Sequence, residues 1–462
     1  MPSNRTSIAT RRRRRSATAA ILAAAVVVLA GCSSSDEPTT PTTDQEPVSA
    51  PQGTLSIMSW GSDEDHASIE AIADAYAQEF PDVTIDFSIG DCAIDVGACK
   101  TLIAANNMPD VVVSHNNPLT AEAEIGIIQN LDPLIERDGV DLDQFVPASI
   151  AGVVSASDGG HYALPMGYHI EVMYFNKALF DEADLDYPDP SGDYTYDDVR
   201  EWALALTKDG SGNTAEEPDF DPEDVAQYGV YISPNLNGFD PILLANGASM
   251  VALDDPTQCT IESPEAVETF QYIQDLMYKD HVAVTPASDQ ALAGKYQFAE
   301  GRVAMLMGAH WMTAIMQQQA PDLSYAVAAL PAGSAGNASI VNVHSWAIAQ
   351  ESENTELAWH FLKWATGAGA APAMGLIPAN TSVIGPQFLE GPNEPENLQE
   401  AFIAPASWPL TVSPPEFGNS NWVQASGQDG LAPFLDKIFQ NSAPAEEALS
   451  GACAVLDPIL QQ

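Results

Sequence analysis

Basic side chains are scarce in this chain. Sixteen Lys and Arg stand against 64 Asp and Glu, a formal net charge of −48 over 462 residues. Six of the sixteen, Arg5 and Arg11–Arg15, lie in the first 32 residues, so the remainder sets ten against 64, a balance of −54. Grip on a nucleic-acid backbone needs clustered Lys and Arg, so nucleic acid is excluded as a partner. Beyond residue 32 the arginines are Arg137, Arg200 and Arg302 alone. Phosphate and carboxylate ligands call for Arg forks or Lys, and the overall field repels anions, so a neutral or cationic solute is favoured. Long apolar runs are missing too: Ala17–Ala30 is shorter than the ~20 residues a bilayer requires. Gly-x-Ser-x-Gly, His-Glu-x-x-His and the Walker phosphate loop are absent. The eight histidines are scattered, and no carboxylate pair stands out as glycoside hydrolysis would need. Neither an enzyme nor a cofactor is implied, and no internal repeat is visible.

What is present starts with an export signal. A basic run at Arg11–Arg15 precedes the apolar run, which ends in Leu29-Ala30-Gly31-Cys32; that order marks a secretory signal. The small residues before Cys32 resemble the lipobox of bacterial lipoproteins, in which the cysteine is lipidated and becomes the first mature residue. The hydrophobic residues of a twin-arginine signal do not follow the arginines directly. Residues 33–52 are Ser, Thr, Pro and acidic side chains with almost no large apolar group, and read as a flexible tether. About 410 residues remain, too many for one ordinary core, so two lobes are expected. With 45% hydrophobic residues the chain folds despite its charge. An acidic shell keeps a protein soluble and monomeric, and suggests saline or alkaline surroundings.

Periodicity gives the class. Thr54–Trp60 reads as a strand and His66–Phe80 as a helix closed by Pro81. Val83–Ile89 alternates as a half-buried strand, Lys100–Asn106 is a short helix, and Asp110–Ser114 is a buried strand. Strand, helix, strand, helix, strand is the mark of an α/β lobe with a largely parallel sheet, and such sheets bind ligands at the carboxyl ends of their strands. Further on come a strand at Val172–Phe175, helices at Tyr196–Thr207, Glu265–Tyr278 and Gln290–Glu300, and strands at Val303–Met307 and Tyr325–Leu330. Helices at Leu357–Thr366, Leu431–Asn441 and Ala445–Ala454 complete the reading. Residues 367–432, rich in Gly, Pro, Asn and Ser, show few clear elements.

Apart from Cys32, the cysteines are Cys92, Cys99, Cys259 and Cys453. An even count outside the cell reads as disulfides. Of three pairings the local one is preferred, Cys92–Cys99 with Cys259–Cys453; a metal site would want converging ligands that are not evident. Asp209-Gly-Ser-Gly-Asn213 faintly resembles the start of a calcium loop. Thr214 and Phe220 stand where glycine and glutamate belong, so a solvated acidic loop is the better reading. Trp60, Trp311, Trp346 and Trp422 each sit beside Gly, Ser, Asn or His, as residues of loop mouths do. Flat rings that cover C–H faces, with Asp, Glu, Asn, Gln or His to pair hydroxyls, are what a sugar requires.

In order and spacing, several motifs resemble the extracellular solute-binding proteins of sugar-importing ABC transporters, the maltose-binding-like group. They are TLSIMSW at 54–60, AQEFPD at 77–82, PDVVV at 109–113 and SPEAV at 263–267. FAEGRVAMLMGAHW at 298–311 and ELAWHFLK at 356–363 also agree. The clearest match is Gly159–Lys177, a Gly-x-x-Tyr-x-Leu-Pro turn leading into a strand that ends Tyr-Phe-Asn-Lys. The resemblance implies a periplasmic-binding-protein-like fold, two α/β lobes joined by three crossings near Pro165–Ile170, Leu330–Pro331 and Ile377–Ala379. Lobe one would be 54–165 with 331–378, and lobe two 170–328 with 380–462. Cys259–Cys453 would then staple one lobe and leave closure free. By the same resemblance Trp60, Asp63, Glu64, His115, Asn116, His169 and Trp311 reach the ligand, with Tyr168 behind His169 and Trp346 and Trp422 as further candidates. His169 stands where the maltose-type proteins usually have an acidic contact, which argues against maltose itself. The implied function is capture of a neutral mono- or oligosaccharide by a lipid-anchored monomer and its delivery to an ABC permease. A binding protein for a polyol or cationic compatible solute, a secreted hydrolase and a purely structural surface protein are the rivals.

Overall fold

The structure is a computed structural model. It describes residues 51–462 apart from 62, 91–95, 106, 293–295, 368–374 and 385–394. The signal, Cys32, residues 33–50 of the tether and Cys92 lie outside the described residues.

Seven strands carry the architecture: β1 (Gly53–Ser59), β2 (Val83–Ile89), β3 (Val111–His115), β4 (Leu164–Asn176), β5 (Val225–Tyr231), β6 (Val303–Ala309) and β7 (Gly336–Ile348). Their order in the sheet is β2-β1-β3-β7-β4-β6-β5. β1 pairs in parallel with both β2 and β3, as the alternation of strands and helices predicts. β5 and β6 are likewise parallel in the other half. Between them run β7 and β4, antiparallel to each other and to their outer neighbours.

β4 and β7 are 13 residues long and belong to both halves. Together with the short strand Ile377–Pro378, which pairs with Tyr168 and Gly167 of β4, they form the three crossings of a two-lobed α/β fold. The crossings press close: a Cβ on Gly167 would lie 2.7 Å from the Ile377 carbonyl oxygen, so glycine is required there.

Each half has its own core. In the first, Leu55, Ile57, Val111 and Val113 pack with Tyr76 of the helix Asp63–Glu79 and with Trp359 and Phe361 of the helix Thr355–Ala365. In the second, Met173 and Phe175 pack with Phe239, Phe270 and Phe439. Tyr168, Ile170, Val172 and Tyr174, on the opposite face of β4, join a third cluster with Phe298 and Phe402. Ala338 and Ile340, assigned to lobe one by the resemblance, pack in the second core.

All three arginines beyond the signal are paired with carboxylates. Arg137 makes a fork with Glu356 at 2.6 and 3.0 Å, Arg200 one with Asp280 at 2.7 and 2.9 Å, and Arg302 meets Glu300 at 3.3 Å. Cys259 and Cys453 form the expected disulfide, Cα atoms 5.2 Å apart. Cys99 is also disulfide-bonded. The carboxylate of Asp209 is engaged internally: it accepts from the backbone N–H groups of Ser211, Asn213 and Asp221 and from Asn213 Nδ2. Among the described residues no group of three His, Cys, Asp or Glu is placed to hold a metal ion.

Candidate ligand-binding cleft

Where β3, β7 and β4 lie side by side, the register places four polar side chains in two direct cross-strand pairs. His344 stands opposite His115, and Asn342 opposite His169. Directly opposed residues share a face of the sheet, so three imidazoles and an amide line one floor. The His115 and His344 rings are 4.9 Å apart and edge-on, and those of His169 and His344 5.4 Å apart in the same manner. Trp60, just past the carboxyl end of β1, stacks on His344 at 5.4 Å with 10° between the planes.

The walls come from loops and helix starts. Asn117 donates its backbone N–H to His115 Nδ1 at 3.1 Å, which caps the helix Asn116–Glu124 and leaves the ring proton on Nε2. From the other half, Asn235 and Asn237 stand at the start of the helix Leu236–Ala245, with Asn342 Nδ2 donating to Asn237 Oδ1 at 3.2 Å. Trp311 follows β6, and Phe417 closes the side. These residues enclose about 330 Å³. A second chamber of about 560 Å³ shares His115 and Asn117 with the first; Trp60, Lys100, Glu124, Asn419 and Asn421 line it.

The first chamber has no Asp, Glu, Lys or Arg in its lining. Burial pushes the imidazoles below their ordinary range, to about 3 for His169, and the neighbouring rings add to this. A depressed imidazole is neutral at ordinary pH. Four buried polar atoms of the cleft have no hydrogen-bond partner among the described residues: Trp60 Nε1, Asn117 Oδ1, His169 Nδ1 and His344 Nδ1. They are hydrogen-bonding groups that the protein leaves unspent, and a side-chain or lobe movement would have to expose them before a ligand met them.

One backbone position sets the wall. A Cβ on Gly238 would lie 2.0 Å from the Ser233 carbonyl oxygen. Gly238→Ala should therefore force the helix start outward and cost roughly 1–3 kcal/mol, read as a lower melting temperature.

The family model for bacterial extracellular solute-binding proteins matches residues 60–372. The chain belongs to that family. A protein of Brucella abortus strain 2308, named only as a binding protein, is 26% identical over 299 residues, 63% of this solute-binding protein and 67% of the relative. The diacetylchitobiose binding protein DasA of Streptomyces coelicolor is 24% identical over 366 residues, 75% and 76% of the two chains. The ABC substrate-binding protein Lmo0181 of Listeria monocytogenes, solved with cycloalternan, matches in fold with a TM-score of 0.73, 21% identity, and coverage of 89% and 99%.

In this solute-binding protein Trp60 and His115 line the second chamber, and His115, His169 and Trp311 the first. Other candidates are placed elsewhere. Asn116 faces away: its side-chain amide accepts from Val343 N and donates to the Val341 carbonyl and Ser413 Oγ, tying the strand to the wall. Tyr168 is in the core on the other face of β4, because adjacent strand residues point opposite ways. Trp346 is 0% exposed beneath Phe361, two residues past His344 and already under the helix Thr355–Ala365. Trp422 is 3% exposed in the second core. Asp63 is exposed at the start of its helix and lines neither chamber, and the Glu64 side chain lies outside what is described. The sequence reading does not select Asn117, Asn235, Asn237, Asn342, His344 or Phe417.

Proposed function

We propose that this solute-binding protein captures a neutral mono- or oligosaccharide outside the cytoplasm and hands it to an ABC permease. Amides and neutral imidazoles beside the Trp311 and Phe417 rings, in a chamber without charged side chains, carry the reading. A sugar offers apolar C–H faces to Trp311 and Phe417, and hydroxyls to amides and imidazoles that can donate or accept. The stacked His344 covers one face of Trp60, which speaks against an open aromatic box for a quaternary ammonium. The names of the Streptomyces and Listeria relatives, with diacetylchitobiose and cycloalternan, point the same way.

The lobes would swing about β4, β7 and Ile377–Pro378. We place the second crossing within β7, past Ile340, because Ala338 and Ile340 pack with the second half. A sugar bound between the lobes would shift the population toward the closed form, which the permease reads. Lipid at Cys32 and the 33–52 tether would hold a monomer at the outer membrane face, and the protein would release its ligand unaltered.

Thermal melting against diacetylchitobiose, cycloalternan, maltotetraose and glycine betaine tests this. A ligand at a hundred times its Kd stabilises by about 2.7 kcal/mol, so at least one sugar should raise the melting temperature. A shift with glycine betaine alone would overturn the sugar reading. For the sugar that binds, Trp311→Ala should weaken affinity roughly 10- to 100-fold in calorimetry, by loss of ring contact.

A further inference from the structure

Two carboxyls lie buried directly behind the cleft. Asp240 sits three residues beyond Asn237 on the helix Leu236–Ala245, and Glu416 immediately precedes Phe417. They are 3% and 0% exposed, and they hydrogen-bond to each other. Apart from Glu416's own backbone N–H, neither oxygen of Glu416 nor Asp240 Oδ2 has a donor among the described residues. Two carboxylates have no hydrogen between them to share, so the bond requires a proton on one. It joins the helix that brings Asn237 to the first chamber to the segment that brings Phe417 to it. The next anchor of the 415–421 segment is Asn419, whose Nδ2 donates to the Pro256 and Leu460 carbonyls.

We propose that Asp240 and Glu416 are positioning residues that hold Asn237 and Phe417 in place through a shared proton, so that the cleft wall loosens as pH rises. This rests on the sugar-binding reading only in assigning the wall to the ligand. Burial, first, and the neighbouring carboxyl raise Asp240 well above the usual carboxyl range, and burial lifts Glu416 to about 7. In a wall that has swung out, both would titrate near their ordinary values of roughly 4. The held form therefore binds protons more tightly. Its advantage is complete below that range and is lost as pH climbs from about 4 through the raised values.

Other groups on neighbouring elements are His115, Glu122 and Glu124 of the helix Asn116–Glu124 and its cap, and Asp254 and Asp255 of the hairpin against Phe417. His344 of β7 and Glu265, Glu268 and Asp275 of the helix Pro264–Tyr278 complete the set. Of these carboxyls Glu122, buried against Ser114 Oγ, is also raised to about 7.

Amide hydrogen exchange of residues 413–421, corrected for intrinsic rate, tests the proposal at pH 5 and pH 8. Wild type should open at least about tenfold more at pH 8, the change expected for one proton over one or more pH units. Glu416→Gln, whose amide can donate to Asp240 without an extra proton, should reduce the change to less than about threefold; Asp240→Asn repeats the test should the first variant fold poorly. Equal exchange at both pH values in wild type, or a change that survives both variants and vanishes in Glu122→Gln, overturns it. Saturating diacetylchitobiose, maltotetraose or cycloalternan should suppress the pH-dependent opening. Opening that keeps its pH dependence but responds to none of them upholds the pair and rejects the sugar reading.

Discussion

Cys453→Ser should cost about 5 kcal/mol of stability. The bond to Cys259 closes a loop with a sequence separation of 194, and loop-closure entropy in the denatured chain grows with the logarithm of that length. The figure is an upper bound, because the C-terminal helix Ala452–Leu460 has other holds on the hairpin. Cys259 N donates to Asp457 Oδ1, and Cys453 N to Glu262 Oε1, each at 2.9 Å. Those bonds survive the substitution, so the variant should fold and unfold at a lower urea midpoint. Cys259 belongs to the second core and Cys453 packs against it, so the staple does not bridge the moving halves. Affinity for a bound sugar should therefore change less than twofold while stability falls. An affinity loss as large as the stability loss would mean that the bond constrains closure.

The first half was legible because its strands and helices alternate with clean periods, and the structure returns them in that order. The second half was harder for identifiable reasons. β7 is buried on both faces over Ala338–Ile348, so Asn342, His344 and Ser345 interrupt its apolar run without an exposed face to set the alternation. The helix Leu236–Ala245 contains Gly238 and Pro241, each a breaker by propensity, and both are accommodated by the fold. Those two elements carry four of the six unselected cleft residues: Asn235, Asn237, Asn342 and His344. His169 was found because its strand follows a recognisable turn, whereas Tyr168 beside it was not separable from it until the register of β4 was known. Trp346 shows the limit of residue type as a guide. An indole suits a ligand, but on β7 the helix Thr355–Ala365 covers it, while the imidazole two residues earlier lies clear of that cover.

Glu171→Gln should raise stability at pH 8 and leave it unchanged near pH 4.5. Glu171 is 2% exposed on β4, two residues from His169 on the same face, and its Oε1 has no partner among the described residues. Burial pushes its carboxyl up to about 8. The folded value thus lies above the unfolded one, and the unfolded chain gives up its proton first as pH rises. The neutral group's contribution is fully present below about 4.5 and declines until about 8, where it levels off. At about 1.4 kcal/mol per unit the loss is bounded near 5 kcal/mol; relaxation and water penetration should bring it to roughly 3. Glutamine keeps the shape and has no proton to lose, so urea midpoints for the two proteins should coincide at pH 4.5 and separate at pH 8. A difference of the same size at both pH values would assign the effect to packing. The same direction holds for Glu122 and Glu416, both raised to about 7 mainly by burial. With Asp240, also raised by burial, four buried carboxyls therefore lose stability toward alkaline pH, while added salt screens the repulsion of a chain at −48. Of the two settings that the acidic composition suggests, this interior suits salt and works against alkali, and melting temperatures should rise with sodium chloride and fall from pH 6 to pH 9.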